Sequence, residues 1–559
     1  MAAVTIATLY TLTIAVTGGF SIQVAGIRVR SHSWVRPALV ALAGVAVLAF
    51  IARARVPAIS VHVSRVLESV GFATWLTVVA MAWAFAAGVG FGTFASGGAD
   101  SYGYVGQARL LAHGHLTDTI PLSADYRWPD VEFTLTPLGF TAGRTPGVIA
   151  PKYPPGLPLL LAPLAAFSER AIYLVVPVFG ALLVWTTYRL GAAVGDPAAG
   201  AMAAAFLSAS PTFLYQVVQP MSDVPAAACW LGALLLATCG TSYAAAGSGS
   251  ICSLAILIRP NLAPLAGLIG LAATFSGPAF RLRRALIFGA ALVPGLFTLG
   301  WMQNVRYGSP LGSGYGTLSD GFSMQHIAPN LARYPRWLTE THTWFIWLSV
   351  AAPFWIVRRA RKPLLAWSAA ALAAATWTAY LPYIYFHPNE WFYTRFLLVA
   401  IAVMLLFATA VALWPLRRLP VAWRAPATLL LLGGLFVMLV HAAQTHGAFD
   451  IRNQEQKYPL AGAFVRDRLP AGAFVLAAQH SGSIRYYANR PTLRWDLLSP
   501  TRLDEVVATF RAQGHEPFLV VDAGEYEDFR EKFARSGQRA VRQLTPLAVL
   551  GDARVFGFR

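Results

Sequence analysis

The sequence has few charged residues and few cysteines for its length. Of its 559 residues, 12% are charged and 56% are hydrophobic, whereas soluble domains carry roughly 25% charged residues. A protein made only of water-soluble domains is therefore excluded. The three cysteines, Cys229, Cys239 and Cys252, lack the spacing of metal or redox sites. We expect neither a disulfide framework nor a cysteine-ligated metal.

The few charges are unevenly distributed along the chain. Residues 1–444 hold 27 Lys and Arg but only 12 Asp and Glu, while residues 445–559 hold 16 and 13. The second segment has the charge density of a soluble domain. We therefore predict a polytopic α-helical membrane protein. Residues 1–69 would add N-terminal transmembrane helices, residues 70–444 would form the main membrane region, and residues 445–559 a small α/β domain, called the C-terminal module below.

Apolar stretches long enough to cross a bilayer recur through the membrane region. Between residues 242 and 277 such a stretch is interrupted by Arg-Pro-Asn at 259–261, which favours two short spans that meet at a corner. At roughly 20 residues for each span, the pattern predicts about 11–13 transmembrane helices. The other apolar windows lie at 3–26, 36–53, 71–94, 170–189, 197–218, 223–240, 285–303, 342–357, 363–386, 392–414 and 425–444.

Basic loops set the predicted orientation, because Lys and Arg favour the cytoplasmic side. Three dense basic loops all face the cytoplasm if the corner at residues 259–261 lies on the opposite side. The loop at 95–169 and the C-terminal module then lie outside. The arginines between residues 28 and 36 disagree with this orientation. The net charge of +18 is mainly a topological signal and predicts no nucleic-acid partner. The basic loops are residues 281–284, 358–362 and 417–424.

Acidic residues are scarce in the membrane region, and five of its 12 lie between residues 100 and 132. The first of them, Asp100, directly follows an apolar span. From Tyr102 the pattern predicts an amphipathic helix that lies flat in the membrane interface, with Gln107 on its polar side. This helix would hold Asp100 at the mouth of the helix bundle. Alternatively, Asp100 is only the N-cap of that helix.

Three cationic residues stand beside apolar or aromatic sequence. Lys152, next to Tyr153 in a proline-rich turn, suits a lipid phosphate, or serves only as an anchor at the membrane surface. Arg259, at the predicted corner, is costly inside a membrane and needs an anionic partner or a water-filled cavity. Arg395 follows the aromatic residues 391–393, which alternatively form only an aromatic belt at the interface.

Another turn of the predicted outer face contains Ser222 and Asp223. Either residue would cap the apolar helix that follows, and Pro225 fits its first turn. Capping does not explain why Asp223 lies on the same predicted face as Asp100, next to the corner that holds Arg259. We therefore keep a functional role for Asp223 beside the structural one.

Residues 455–559 have the pattern of a small α/β unit. Thr501 and Asp504 stand at capping-box spacing at the start of its clearest helix. The unit is either a platform for a carbohydrate or an acceptor, or a structural cap over the mouth of the bundle. Its strand-like runs lie at 474–478, 517–522 and 554–558, and the helix at 503–513.

Five segments of the predicted outer face, taken in order, carry a resemblance to a known family. They are Asp100-Ser101-Tyr102-Gly103-Tyr104; Tyr153-Pro154-Pro155-Gly156; Met221-Ser222-Asp223-Val224-Pro225; Arg259-Pro260-Asn261; and Tyr393 to Arg395-Phe396-Leu397-Leu398. The chain resembles the GT-C class of integral-membrane glycosyltransferases. The resemblance is to the branch similar to protein O-mannosyltransferases and to transferases that add sugars to lipid A or its core.

The resemblance implies transfer of a sugar from a polyprenyl-phosphate donor to a lipid, glycan or protein acceptor on the outer face. Asp100 then takes the role of the family's essential acidic residue, and a carboxylate there suits a general base for an inverting attack. Cations would stabilise the departing lipid phosphate. The donor-phosphate candidates are Lys152, Arg259 and Arg395, and the candidates for substrate binding or a second carboxylate are Asp223, Tyr102, Tyr104, Tyr153, His387 and Glu390.

The resemblance leaves a divalent metal cation open as a cofactor. Many relatives have a second acidic residue beside the essential one, whereas Asp100 has Ala99 and Ser101 as neighbours. The implied location is the inner (plasma) membrane of a bacterium, with the site and the C-terminal module extracytoplasmic and a role in cell-envelope glycan synthesis.

Two other functions compete with sugar transfer. One is a polytopic transporter or lipid flippase for glycolipids or polyprenyl-linked sugars, and the other is a polymerase or ligase of surface polysaccharide. Transporters collect polar residues near mid-membrane, whereas the polar groups of this sequence collect at the predicted outer face. This distribution favours the transferase.

Overall fold

Helices make up most of the computed structural model, which describes residues 20–24, 27–31, 56–277, 281–385 and 390–558. Most of the first two predicted spans lies outside the described residues. Where the first window extends to residue 26, the structure instead has a strand, Phe20–Val24, paired antiparallel with a second strand, Ile27–Ser31. The reason is visible in the sequence, since apolar and polar residues alternate from Phe20 to Val24, and that alternation is typical of a strand.

Among the described residues, five helices are long and apolar enough to cross a membrane, and a sixth span is formed if one bent pair is counted. The pair is Pro197–Ala209 and Pro211–Val217, bent by 62°, because the residue before Pro211 is disfavoured in helical conformation. Shorter apolar helices occupy several other predicted windows, so the 11–13 predicted spans are not all full-length helices. The five are Val70–Gly90, Ala171–Val194, Arg281–Tyr307, Trp391–Leu416 and Val421–Thr445.

The remaining helices before residue 445 are shorter. They are the α-helices Val56–Glu68, Asp100–Ala112, Val131–Leu135, Gly156–Ala165, Asp223–Ala237, Ser242–Ile258, Leu265–Phe275, Leu318–Gly321, Ile327–His342, Ala352–Arg359 and Pro363–Tyr380, and the 3-10 turns Pro260–Leu262, Met324–His326 and Trp344–Ala351.

One helix forms the centre of the bundle. Within Trp391–Leu416, 89% of the most apolar window is buried inside the protein, against 17% for Arg281–Tyr307. The first helix is therefore surrounded by protein, whereas the second turns most of its apolar surface outward, as a helix in contact with lipid does. Arg395 lies near the start of this central helix, so its side chain extends from the most completely buried of the five long helices.

The predicted corner at residues 259–261 is confirmed. The helix Ser242–Ile258 ends there, Pro260–Leu262 forms one 3-10 turn, and Leu265–Phe275 continues the chain. Pro260 cannot continue the first helix, since it lacks a backbone N–H. The break leaves Arg259 at the junction of two apolar helices.

The 95–169 loop is folded around a small sheet. Its strands Asp118–Thr119 and Phe140–Ala142 both pair antiparallel with Val148–Pro151. The helix Asp100–Ala112, called the Asp100 helix below, packs beside them. The prediction that this helix lies flat with an exposed polar side is wrong, because residues 101–108 are all buried and Gln107 has no exposed surface. Protein covers the helix on both sides.

The C-terminal module has a five-stranded mixed sheet, which confirms its predicted α/β class. Its three predicted strands and its helix Leu503–Ala512 are all present. The predicted capping box is wrong: Arg502 is the N-cap, and the Asp504 carboxylate instead accepts hydrogen bonds from the backbone of Arg539 and Ala540. The strand order is Thr492–Leu493, Ala473–Leu476, Glu516–Asp522, Ala553–Phe558 and Leu544–Leu550, and the other helices are Ile451–Glu455, Lys457–Arg468, Ser481–Ala488 and Ala523–Ala534.

The C-terminal module and the 95–169 loop share one hydrophobic core. Tyr102 and Phe140 of the loop belong to the same buried cluster as Phe474 and Phe510 of the module. Hydrogen bonds join the two segments as well, including one from the Arg494 amide to a loop carbonyl, at 2.6 Å. The module is therefore packed onto the loop as a single folded unit and directly covers the Asp100 helix.

Candidate active site

Two carboxylate–arginine pairs meet beside the corner at residue 259. Asp100 Oδ2 lies 3.0 Å from an Arg395 nitrogen, and Asp223 Oδ1 lies 2.6 Å from an Arg259 nitrogen. All four side chains are largely buried, with Asp223 only 2% exposed. Charges this poorly solvated persist only when they are paired. The structure thus brings together four of the residues singled out in the sequence.

The ring of Phe396 contacts both arginines. The guanidinium carbons of Arg259 and Arg395 are each 5.0 Å from its centre, within the range of a cation–π contact. Tyr380 stacks on the same ring, with centres 4.9 Å apart and planes 11° apart. The two guanidinium groups are therefore held beside the same pair of stacked rings, Phe396 and Tyr380.

The guanidinium of Arg259 donates hydrogen bonds to three different side chains. Its Nε donates to Ser222 Oγ at 3.2 Å, one terminal nitrogen donates to the Tyr380 hydroxyl at 2.9 Å, and the other donates to Asp223. Ser222 occupies the N-cap position of the following helix but accepts no capping bond from its backbone. The capping interpretation of Ser222 is wrong, because its hydroxyl is occupied by Arg259 and by Tyr104, at 2.8 Å.

Asp100 is the first residue of its helix rather than its N-cap, a position held by Ala99. Its Oδ1 accepts a 2.5 Å hydrogen bond from the Tyr153 hydroxyl, while its Oδ2 faces Arg395. Burial raises the pKa of Asp100. The charge of Arg395 and the hydrogen bonds from Tyr153 and Arg395 outweigh that effect and hold the pKa below its ordinary value. The carboxylate is ionised at neutral pH.

Tyr153 and Lys152 form one side of the site. The Tyr153 ring packs against Tyr104, at 4.9 Å, and against Tyr315, at 5.7 Å, and the Lys152 ammonium lies 5.3 Å from the centre of the Tyr315 ring. Burial, and then the charge of Arg494 in the C-terminal module, lower the pKa of Lys152, while Asp100 acts in the opposite direction. Lys152 is a partly buried cation beside the Tyr315 ring, and its role in donor binding stays a prediction.

Two predicted site residues, Tyr102 and Glu390, are not in this cluster. The Tyr102 ring points away from the carboxylates and packs on Phe140, at 5.4 Å, in the core shared with the C-terminal module. Glu390 is exposed at the start of the turn Trp391–Leu397. His387 lies outside the described residues.

Several site residues were missed in the sequence. Tyr380, Tyr315 and Phe396 are aromatic residues in or beside apolar sequence, where core packing is the usual role. Asn261 donates to the Tyr380 hydroxyl at 2.8 Å, and its place two residues after the corner arginine was a usable signal. The interpretation of residues 391–393 as only an aromatic belt does not fit Tyr393, which is buried beside Trp337 and Tyr385.

No family model and no curated protein matches the sequence. The structure is similar to that of ArnT from Cupriavidus metallidurans bound to undecaprenyl phosphate, with 13% sequence identity, a TM-score of 0.52, and coverage of 88% of this chain and 98% of ArnT. The chain has the GT-C fold. The apo state of the same ArnT gives a TM-score of 0.51. The apo Archaeoglobus fulgidus oligosaccharyltransferase gives 0.48, with 14% identity over 85% of this chain and 73% of its own.

The GT-C fold and the long apolar helices together make this chain an integral membrane protein. The predicted fold class, a polytopic helical body with a small C-terminal sheet domain, is confirmed. The segments that carried the resemblance are also the segments that form the cluster: Asp100, Tyr153, Asp223, Arg259 and Arg395 come from five different parts of the chain.

The donor atoms of the cluster suit a paired base better than a metal site. Both oxygens of Asp100 are engaged, one by Tyr153 and one by Arg395, and Asp223 is paired with Arg259. Within the described ranges no group of three or more His, Cys, Asp or Glu side chains is arranged to hold a metal ion. The described residues of the cluster therefore do not fit a divalent cation.

Proposed function

We propose that this protein is a glycosyltransferase that moves a sugar from a polyprenyl-phosphate donor to a lipid, glycan or protein acceptor at the outer face of the membrane. One observation carries the proposal: Arg395 and Arg259, each paired with a carboxylate, both contact the Phe396 ring. A base and two rigid cations at a single site are the groups that such a transfer requires. The solved ArnT structure, of the same fold, contains undecaprenyl phosphate.

The reaction needs a base for the acceptor. The acceptor hydroxyl oxygen attacks the anomeric carbon, the bond from that carbon to the phosphate oxygen breaks, and the hydroxyl proton passes to the Asp100 carboxylate. Attack from the face opposite the leaving phosphate inverts the anomeric carbon. Because Asp100 is ionised in the free protein, it is able to accept this proton without prior activation.

The leaving group needs cations. The polyprenyl phosphate departs with the bonding electron pair and so gains negative charge, which Arg395, Arg259 and Lys152 would stabilise. Arg395 donates one hydrogen bond to Asp100, and its Nε has no hydrogen-bond partner among the described residues. A donor phosphate beside Arg395 would also add negative charge near Asp100, which raises the pKa of the carboxyl toward the range of an effective base.

The proposal places the reaction and the C-terminal module outside the cytoplasm, in the inner membrane of a bacterium. Its support is the basic character of the loops at the opposite ends of the helices. A cysteine introduced at an exposed module position, such as Arg530→Cys, would react with a membrane-impermeant maleimide added to intact cells. Labelling only after lysis would contradict the outside location and leave the chemistry of the site untouched.

The function is tested with purified full-length protein in bilayers, incubated with a panel of labelled polyprenyl-phosphate sugars and membrane-lipid acceptors. We expect transfer by the wild type and none by Asp100→Asn. Asp130→Asn is the matched control, because Asp130 is an exposed carboxylate of the same loop. No transfer from any donor by the wild type would overturn the proposed function, and full activity of Asp100→Asn would overturn the role of Asp100 as base.

A further inference from the structure

The C-terminal module contacts the chain just before Asp100. Tyr458, in the helix Lys457–Arg468, packs directly on Gly97, and a Cβ atom added to Gly97 would overlap three atoms of the Tyr458 ring. Gly97 is also the first acceptor for the helix that follows, because the Tyr102 amide donates to its carbonyl at 3.2 Å. The position of Gly97 therefore fixes where the Asp100 helix begins.

The Tyr458 ring is itself held from within the C-terminal module. It packs on the ring of His480, with centres 4.8 Å apart, and His480 is completely buried with Nε2 2.8 Å from Asp522 Oδ1. The other oxygen of Asp522 pairs with Lys457, at 2.5 Å. These contacts anchor both Tyr458 and its chain neighbour to the sheet, so the ring is a rigid support for Gly97.

A second module contact follows Asp100. A Cβ atom added to Gly482 would overlap the Tyr102 ring, which is two residues beyond Asp100. The module thus contacts the chain on each side of Asp100, at the Gly97 backbone and at the Tyr102 ring, while the carboxylate faces Arg395 of the central helix and Tyr153 of the 95–169 loop. A shift of the module would therefore move Asp100 relative to Arg395, which belongs to the central membrane helix.

We infer that Tyr458 is a positioning residue for Asp100, setting through Gly97 the distance from the carboxylate to Arg395 and to the acceptor hydroxyl. The inference rests on the proposed function and extends it, because it gives the C-terminal module a role in the chemical step. Misplacement of a catalytic group by about 1 Å costs a rate on the order of 10²-fold. Loss of the ring therefore slows catalysis while leaving the donor site intact.

The test measures transfer by full-length protein in bilayers. Tyr458→Ala is expected to lower kcat by on the order of 10²-fold with donor KM unchanged, and Tyr458→Phe, which keeps the ring, restores kcat. Gly97→Ala should show the same loss, since its methyl group meets the ring. In the double variant Gly97→Ala with Tyr458→Ala the methyl group has space, so kcat should exceed that of Gly97→Ala alone. Tyr243→Ala, at a tyrosine that is 92% exposed, is the matched control.

Rates are taken per amount of folded protein, and Tyr458→Leu replaces Tyr458→Ala if the latter does not accumulate. An unchanged kcat in Tyr458→Ala would overturn the inference, and so would losses of kcat from Gly97→Ala and Tyr458→Ala that simply add in the double variant. In both cases an active wild type leaves the proposed function standing. An inactive wild type would overturn the proposed function. In that case the Tm values of the same four variants decide whether Tyr458 and Gly97 are coupled. Changes in Tm that simply add would show that the two residues are not coupled.

Discussion

Arg259 and Arg395 place their guanidinium groups at the same distance, 5.0 Å, from the centre of the Phe396 ring. The ring interacts favourably with both cations, and each cation has its own carboxylate, Asp223 or Asp100. The cluster is therefore close to neutral without a ligand. A phosphate that enters it competes for Arg395 and Arg259 with carboxylates already in place, so donor affinity depends on the exact geometry of both arginines.

Arg259→Lys is expected to abolish most of the transfer activity. A lysine has one ammonium group in place of a planar fork, so it cannot reach Ser222, Tyr380 and Asp223 together as Arg259 does. The donor KM should rise and kcat should fall, as measured by initial rates over a range of donor concentrations. Arg336→Lys, at an exposed pair with Glu340, keeps wild-type kinetics. Wild-type kinetics in Arg259→Lys would contradict a phosphate role.

Tyr153→Phe should shift the acidic limb of kcat/KM to higher pH. The Tyr153 hydroxyl donates to Asp100 and lowers its pKa, so removing that bond raises the pKa, and the ionised base appears only at higher pH. A hydrogen bond to a charged group is worth about 1.5–3 kcal/mol, or about one to two pH units. The pH–rate profile checks this. A shift toward lower pH would show that Asp100 is not the group that titrates.

Lys152→Arg should move the alkaline limb of the same profile upward. Burial and the nearby Arg494 lower the pKa of Lys152, so the ammonium loses its charge at a lower pH than an exposed lysine does. An arginine stays charged over that range, and donor binding then persists. Lys362→Arg, at an exposed lysine far along the chain, is the control. An identical alkaline limb in Lys152→Arg would exclude Lys152 from the donor site.

Asp196→Asn should lower stability without lowering the rate of transfer. The Asp196 carboxylate accepts two bonds from Arg417, at 2.6 and 2.8 Å, and one from the Ala199 amide, in a loop on the predicted cytoplasmic side. Loss of the charge should cost about 1–3 kcal/mol, seen as a lower Tm in detergent or bilayers. Asp467→Asn, at an exposed ion pair, should be neutral. A change in kcat for folded Asp196→Asn would link this loop to the site.

Glu455→Gln should stabilise the protein in a defined pH window. Burial raises the pKa of Glu455 from its ordinary 4.5 to about 7. The folded protein therefore keeps this proton while the unfolded chain releases it, so stability falls as pH rises from about 4.5 to about 7. The glutamine variant lacks this loss, and its Tm advantage should grow across the window. Glu527→Gln, at an exposed glutamate, should show no such growth.

The corner at Arg259 was predictable from the sequence for an electrostatic reason. A charged residue followed by proline inside an apolar run must break the helix and find a partner, and both outcomes are present. The scarcity of acidic residues likewise singled out Asp100. In each case the physical cost of a charge near a membrane makes a single residue informative.

The aromatic residues of the site were not predictable in that way. Phe396 and Tyr380 have the composition of ordinary packed residues, and only three-dimensional contacts show that they orient the arginines. The surroundings of Gln107 were also out of reach. Helical periodicity marks one polar side, but Gln107 on that side is completely buried, and no local pattern reports which distant segments pack against a helix.

The joint core of the 95–169 loop and the C-terminal module constrains how the gene can be recombined. Tyr102 and Phe474 lie in one cluster although the membrane helices separate them in the sequence. A hybrid that takes its last 115 residues from a relative would pair foreign side chains with a resident loop. Exchange of the C-terminal module between relatives therefore requires the 95–169 loop to be transplanted with it, as a matched cassette.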